Sequence, residues 1–205
     1  MPLNPYNLRA KDFFAQYQSL SFEQVHNDWI PQLDNKTGLA LDVGAGSGRD
    51  ALALSERGWD VVAVEPAAEL LRLGASATAH RSIQWVSDSL PDLGQIRKLS
   101  YRFDLILVSA VWMHLPPTVR ERAFRILTEL LGPAGLLVIT LRHGPGDGER
   151  EFHEVSRAEL DRFARQRAVM PVPLPKMPRT DQLNRPDVWW ETVAYLRLDD
   201  DALRA

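Results

Sequence analysis

Three glycines and one acid at fixed spacing carry the chemistry most legible in this chain. Leu41 to Ala51 read LDVGAGSGRDA, and Val61 to Pro66 read VVAVEP. An apolar run at 39–43 enters a loop with Gly44, Gly46 and Gly48, and a helical pattern follows from Arg49 to about Arg57. A second apolar run, 61–64, ends in Glu65. Strand, glycine loop, helix, strand and acid is the layout that holds the nucleoside end of a cofactor on a doubly wound sheet. Glycines remove side chains where the backbone must pass close to a ligand. The acid at the tip of the second strand stands where it can accept hydrogen bonds from ribose hydroxyls.

The spacing selects the cofactor. A dinucleotide fingerprint, G-x-G-x-x-G, needs a glycine at position 49, but Arg49 stands there and the third glycine is Gly48. The pattern G-x-G-x-G resembles motif I of the class I S-adenosylmethionine-dependent methyltransferases. The stretch GSGRDALALSERGWDVVAVEPA looks like the bacterial small-molecule members of that family, including the tellurite-resistance and thiopurine relatives.

That resemblance implies a cofactor, S-adenosylmethionine, and a set of residues to hold it. The backbone of Gly44, Ala45 and Gly46 would meet the amino-acid end of the cofactor. Asp42 would support the loop or reach the cofactor ammonium through water. Glu65 would take the ribose. After the third strand comes VSDSLPDL, where Asp88 and the Ser89 N–H would read the adenine, with Asp92 as the competing acid. Ser109 and Ala110, after the fourth strand, would flank the cofactor. Val111, Trp112 and Met113 would line the wall toward the acceptor. Tyr17, with His26 and Trp29, would cover the site from the N-terminal side.

The acceptor is read mainly by exclusion. The family's amine-directed DNA and glutamine methyltransferases carry an Asn/Asp-Pro-Pro-aromatic tetrad after strand four, where this chain has SAVW. Transfer to a cytosine carbon requires a cysteine nucleophile, and the chain has none. A net charge of −3 gives no basic footprint for nucleic acid. A small-molecule acceptor is therefore expected, with no nucleic-acid or membrane partner, in a monomer or homodimer. Two histidines fall on loops at the carboxyl ends of the strands. His114 and His143 are the candidate general bases, and Arg142 is the candidate clamp for an anionic group on the acceptor. The five histidines lack metal-ligand spacing, so no metal is expected.

The elements that must position these residues follow from periodicity. Strands are expected at about 39–43, 61–64, 82–86, 103–109, 136–141 and 188–198. Helices are expected at about 49–57, 67–75 and 117–131, and from the Ser156/Glu159 capping box onward. The Pro171 to Arg179 stretch can only be edge or loop. Residues 1–36 read as a helical cap, with Phe13, Phe14 and Tyr17 on one face and a capping box at Ser21–Gln24. Residues 37–198 read as an α/β, Rossmann-like, doubly wound domain. The family resemblance adds a seven-stranded sheet whose last strand is antiparallel and inserted between the fifth and sixth. Absent cysteines, no signal-like N-terminus and no long apolar run fit a cytoplasmic protein. The alternative to an enzyme is a non-catalytic S-adenosylmethionine-binding subunit on the same fold. A nicotinamide-dependent oxidoreductase is disfavoured by Arg49, and an aminopropyl transferase by the lack of acids in SAVWMHL.

Overall fold

The computed structural model describes residues 5–175 and 179–198, and the side chain of Arg179 is not among what it describes. Residues 176–178 of the proline-rich stretch and 1–4 of the expected cap lie outside the described residues.

Three short helices come first: α1 (Pro5–Leu8), α2 (Ala10–Gln18) and α3 (Phe22–His26). Ser21 and Gln24 form the reciprocal capping box expected at the start of α3. Then strands and helices alternate: β1 (Leu39–Val43), α4 (Arg49–Glu56), β2 (Asp60–Val64), α5 (Ala68–Ala77), β3 (Ile83–Val86), β4 (Phe103–Val108), α6 (Pro117–Leu130) and β5 (Leu131–His143). Helix α7 (Arg157–Ala164) and strands β6 (Val169–Pro171), β7 (Arg179–Thr180) and β8 (Trp189–Arg197) close the chain.

The strand order is β3-β2-β1-β4-β5-β8-β6. The first five strands pair in parallel, and β8 runs antiparallel between β5 and β6, as the family resemblance implied. Strand order reverses beside β1, which puts the ligand crevice beyond the carboxyl ends of β1 and β4. An eighth strand, the two-residue β7, pairs with Trp189 and Trp190 of β8 and was not expected.

Alternation along the strands sends side chains into two cores. Leu41, Val43, Ile106, Val108, Leu137 and Ile139 pack against α6 and α7 through Phe124, Leu127 and Phe163. Ala40, Val61, Leu105, Leu107 and Val138 pack on the other face against Trp29, Leu33, Ala51 and Leu54. Strands buried on both faces read as continuous apolar runs, which is why these were legible in the sequence.

Two boundaries differ from expectation. The turn expected at 132–135 is an irregularity inside β5. Phe103 pairs with Leu131, then the register jumps so that Leu105 pairs with Leu136, with Ala134 at φ +54°. At its other end β5 runs on to His143, because β8 supplies a partner as far as Trp189. That extension decides the fate of His143, described below.

Helix α5 packs against β3 and the glycine loop at Gly74. A Cβ there would stand 2.5 Å from Trp85 and 2.9 Å from the carbonyl oxygen of Gly46. A glycine-to-alanine change inside a helix normally stabilises by roughly 1 kcal/mol. Here the contact reverses the sign. Gly74→Ala is expected to destabilise by about 1–3 kcal/mol in urea unfolding, the cost of overpacking; unchanged or raised stability would contradict this packing.

Candidate active site

The loop after β1 takes its shape from its glycines. Gly44, Gly46 and Gly48 have φ of +73°, +54° and +79°, the left-handed region. At Gly44 space is also exhausted, since a Cβ would come 2.4 Å from Cγ2 of Val111. At Gly46 a Cβ would meet the ring of Tyr17 at 3.3 Å. The loop therefore runs between the β4 side of the crevice and helix α2, its backbone open to the cavity.

Glu65 leaves β2 buried, and both its oxygens are fixed. Oε2 accepts from the Gly46 N–H at 3.0 Å and Oε1 from the Ala67 N–H at 2.8 Å. Burial pushes its pKa up, and the two N–H donors oppose that rise. Each oxygen keeps a lone pair for a further donor.

A cavity of about 370 Å³ opens over this loop. Its walls bring together Tyr17, Gly44, Ala45, Gly46, Glu65, Asp88, Ser89, Ser109, Ala110, Arg142 and His114, all singled out in the sequence. Asp88 holds its own loop as well: Oδ2 accepts from the N–H groups of Gln95 and Ile96, and Oδ1 from Ser89. Its competitor Asp92 is paired with Arg122 at 2.5 Å and does not line the cavity. Ala110, at φ +57°, donates its N–H to Thr140.

Neither Asp42 nor His143 is brought to the cavity. Asp42 lies beneath the loop, 1 % exposed, against the start of α4, where the Ala51 N–H bonds to it. His143 is turned away. It follows Arg142 on β5, and successive residues of a strand face opposite sides. Arg142 faces the cavity, while the His143 ring stacks on Trp189 with centroids 3.7 Å apart and stands 3.7 Å from Glu191. The expectation that both would follow the strand as a loop overlooked the extension of β5. Of the wall expected after β4, Val111 and Met113 line the cavity; Trp112 is fully buried in the core.

His26 and Trp29 do not cover the cavity either. They form a buried chain under the loop. The Trp29 indole N–H donates to His26 Nδ1 at 2.9 Å, and His26 Nε2 meets Asp50 Oδ2 at 3.0 Å. Since Nδ1 accepts, His26 is neutral with its proton on Nε2. Arg49 adds a fork of two bonds to Asp50, at 2.6 and 2.9 Å. Burial alone would raise Asp50, yet Arg49 and His26 hold it far below the ordinary carboxylate range. Burial and the Asp50 charge push neighbouring Asp42 well above that range.

Sequence reasoning missed Tyr6, Arg150, Asp181 and Arg185, all on the cavity wall. The Tyr6 hydroxyl lies 2.8 Å from His114 Nε2, and His114 Nδ1 lies 2.8 Å from the carbonyl of Glu151. The carbonyl can only accept, so neutral His114 carries its proton on Nδ1 and accepts the Tyr6 O–H hydrogen bond at Nε2. Burial lowers the His114 pKa. The Tyr17 hydroxyl bonds to that of Tyr6, and Arg150 Nη1 approaches Tyr6 at 3.3 Å. An aromatic in a short N-terminal helix carries no sequence signal that it reaches a loop 108 residues away.

Asp50→Asn would strip Arg49 and His26 of their carboxylate. Breaking a buried pair costs about 3–5 kcal/mol. Urea unfolding should show a loss of that order, and Arg49→Met added to Asp50→Asn should recover part of it. A loss within experimental error for the single variant would mean the network does not hold the loop.

Known proteins share this fold. The methyltransferase-domain family model matches residues 40–135, from β1 through α6 into the start of β5. An uncharacterized methyltransferase of Alkaliphilus oremlandii is 27% identical over 135 residues, 66% of this chain and 57% of that protein. The chain thus spans a little over half the length of this relative. TehB from Haemophilus influenzae shares the fold at a TM-score of 0.69 with 17% identity, over 92% of this chain and 67% of that one. So does Burkholderia thailandensis 1,6-didemethyltoxoflavin-N1-methyltransferase, solved with 1,6-didemethyltoxoflavin and S-adenosylhomocysteine, at 0.63 and 20% identity over 94% and 80%. In strand order, inserted antiparallel strand and glycine loop the chain has the fold of the class I S-adenosylmethionine-dependent methyltransferases, and its residues 40–135 are similar to the methyltransferase-domain family.

Proposed function

We propose that this protein binds S-adenosylmethionine in the cavity over the glycine loop and transfers its methyl group to a small-molecule acceptor by in-line displacement. The observation that carries the reading is the Glu65 carboxylate, buried and held by the Gly46 and Ala67 N–H groups at the mouth of the open loop. A carboxylate so fixed is ready to accept from both ribose hydroxyls without reorganising. When bound, the cofactor supplies an electrophilic methyl on a sulfonium.

This chain's residues do the rest. The backbone of Gly44, Ala45 and Gly46 lies open for the amino-acid end, and Asp88 and Ser89 stand at the adenine end. Ser109 and Ala110 border the cofactor, and Tyr17 closes over Gly46. Tyr17 and Tyr6 reach the cavity from the N-terminal helices, which supports reading residues 1–36 as a cap that excludes water from the 37–198 domain. A small acceptor is supported by the cavity volume, by SAVW in place of the DNA-type tetrad, and by the 1,6-didemethyltoxoflavin bound to the Burkholderia neighbour. Where the acceptor loses a proton, the Tyr6 oxygen receives it while His114 Nε2 takes the Tyr6 proton.

Isothermal titration tests the first half. S-Adenosylmethionine should bind in the micromolar range and NAD should not; the reverse would overturn the reading. Glu65→Gln should weaken S-adenosylmethionine about 10–100-fold, the value of hydrogen bonds to a charged acceptor. A non-catalytic binding subunit predicts the same affinities with no methyl transfer in an acceptor screen.

The relay makes a pH prediction. His114 titrates below the ordinary imidazole value because it is buried, and it accepts only when neutral. Turnover should be level through neutral pH and fall only in acid, with its midpoint below the ordinary imidazole value of about 6.5. His114→Ala and Tyr6→Phe should each lower kcat roughly 100-fold, the usual scale of general-base catalysis. Both should leave S-adenosylmethionine affinity unchanged. A Tyr6→Phe enzyme with normal kcat and an unaltered acid limb would remove the relay.

A further inference from the structure

Around Arg142 the cavity wall holds more positive charge than its neighbouring carboxylates neutralise. Arg142, Arg150 and Arg185 all line it. Two carboxylates face them, and each is already taken. Asp147 binds Arg150 at 2.6 Å and accepts the backbone N–H groups of Glu149 and Arg150. Asp181 binds Arg185 through a fork at 2.6 and 2.9 Å and also accepts from the Trp190 indole.

Arg142 has no such partner. It makes no ion pair among the described residues, although it is only 6 % exposed. Its Nη2 donates to the Pro145 carbonyl at 2.7 Å and its Nη1 weakly to Gly144 at 3.4 Å, both neutral acceptors. Its Nε is buried and has no hydrogen-bond partner among the described residues. The guanidinium lies 4.5 Å over the Phe152 ring, which fixes its plane and adds no anion. A buried cation with an unsatisfied donor is costly unless something negative completes it. Its pKa is lowered by burial, then by the charges of Arg185 and Arg150, so it sits in a field that favours an incoming anion.

We propose that the methyl acceptor carries a carboxylate, held by Arg142 between Arg150 and Arg185, with an apolar body against Val111, Met113 and Trp190. This rests on the methyltransferase reading and names the substrate class of that site. One surplus positive charge matches one monoanion. The flat guanidinium edge suits a planar carboxylate, which it can engage in two parallel bonds. The wall that connects this end to the glycine loop is apolar at Val111 and Met113. A body lying along it would keep the carboxylate at one end and present the reacting atom at the other.

The test uses the full chain saturated with S-adenosylhomocysteine. Benzoate and phenylacetate are titrated calorimetrically against their neutral twins, benzamide and phenylacetamide, and against inorganic phosphate. Each acid should bind about tenfold or more tightly than its amide, as expected for a charge-assisted pair. Arg142→Met should erase that preference, and Arg142→Lys should keep part of it, charge without the fork. Both variants should bind S-adenosylhomocysteine as the parent does, which shows that they fold. Equal binding of acid and amide, a preference that survives in Arg142→Met, or no binding of either acid overturns the proposal. Phosphate binding more tightly than both acids overturns the carboxylate in favour of a phosphorylated acceptor. Failure of the parent to bind S-adenosylhomocysteine would instead remove the cofactor reading and the acceptor assignment with it.

Discussion

Most of this site depends on one steric constraint: the loop after β1 is pressed by its neighbours at its glycines. Val111 presses on Gly44, Tyr17 on Gly46, and the Gly46 carbonyl oxygen lies 2.9 Å from where a Cβ of residue 74 would stand. Three parts of the fold therefore meet on a few backbone atoms: the loop after β4, the N-terminal helix α2 and helix α5. Their mutual positions follow from how closely each can approach. Glu65 then ties the same loop to the start of the next segment through Gly46 and Ala67. The cofactor end of the cavity is thus set by packing at backbone distance, the stiffest kind of contact a protein interior offers.

The legible and illegible parts of the site divide along a physical line. Strands β1, β2 and β4 announced themselves because they are buried on both faces, and the glycine loop because its φ values admit little else. Those features are local. Their expected residues, from Gly44 to Ala110, reached the cavity because a parallel sheet delivers the ends of its strands to one edge. Tyr6, Arg150, Asp181 and Arg185 were not legible, since what places them is contact across long stretches of chain. Tyr6 reaches His114, and the segment after β7 is brought in by pairing with β8. Such contacts leave no period in the sequence. His143 is a different case. Its neighbour Arg142 lines the cavity, and alternation along a strand would have separated the two had β5 been carried to its full length.

The buried chain Trp29–His26–Asp50–Arg49 explains how the N-terminal helices serve the site without contributing most of its wall. It bonds the end of α3 to the first turn of α4, the helix that follows the glycine loop. Asp50 also stands where the helix dipole favours an anion. The histidine is held neutral between an indole donor and a carboxylate acceptor, so its bonds are oriented in one sense. Arg49 completes the chain from the cavity side and reaches the Tyr17 carbonyl at 3.4 Å. Tyr17 is thereby held over Gly46 from both ends, by its backbone through Arg49 and by its hydroxyl through Tyr6.

Charge is arranged with the same economy along the cavity. The glycine-loop end presents the buried Glu65 carboxylate among backbone groups, suited to hydroxyl donors, while buried Asp50 beside it is already held by Arg49. The far end presents three guanidinium groups and two carboxylates. Between them stand phenols, a neutral imidazole and apolar side chains. A polar molecule bound at one end and an anion bound at the other would be held apart by that middle section, with the Tyr6–His114 pair beside the gap. Two reactants each fixed at their distant ends lose their relative freedom before reaction, which is the largest contribution an enzyme can make to a displacement that needs little else.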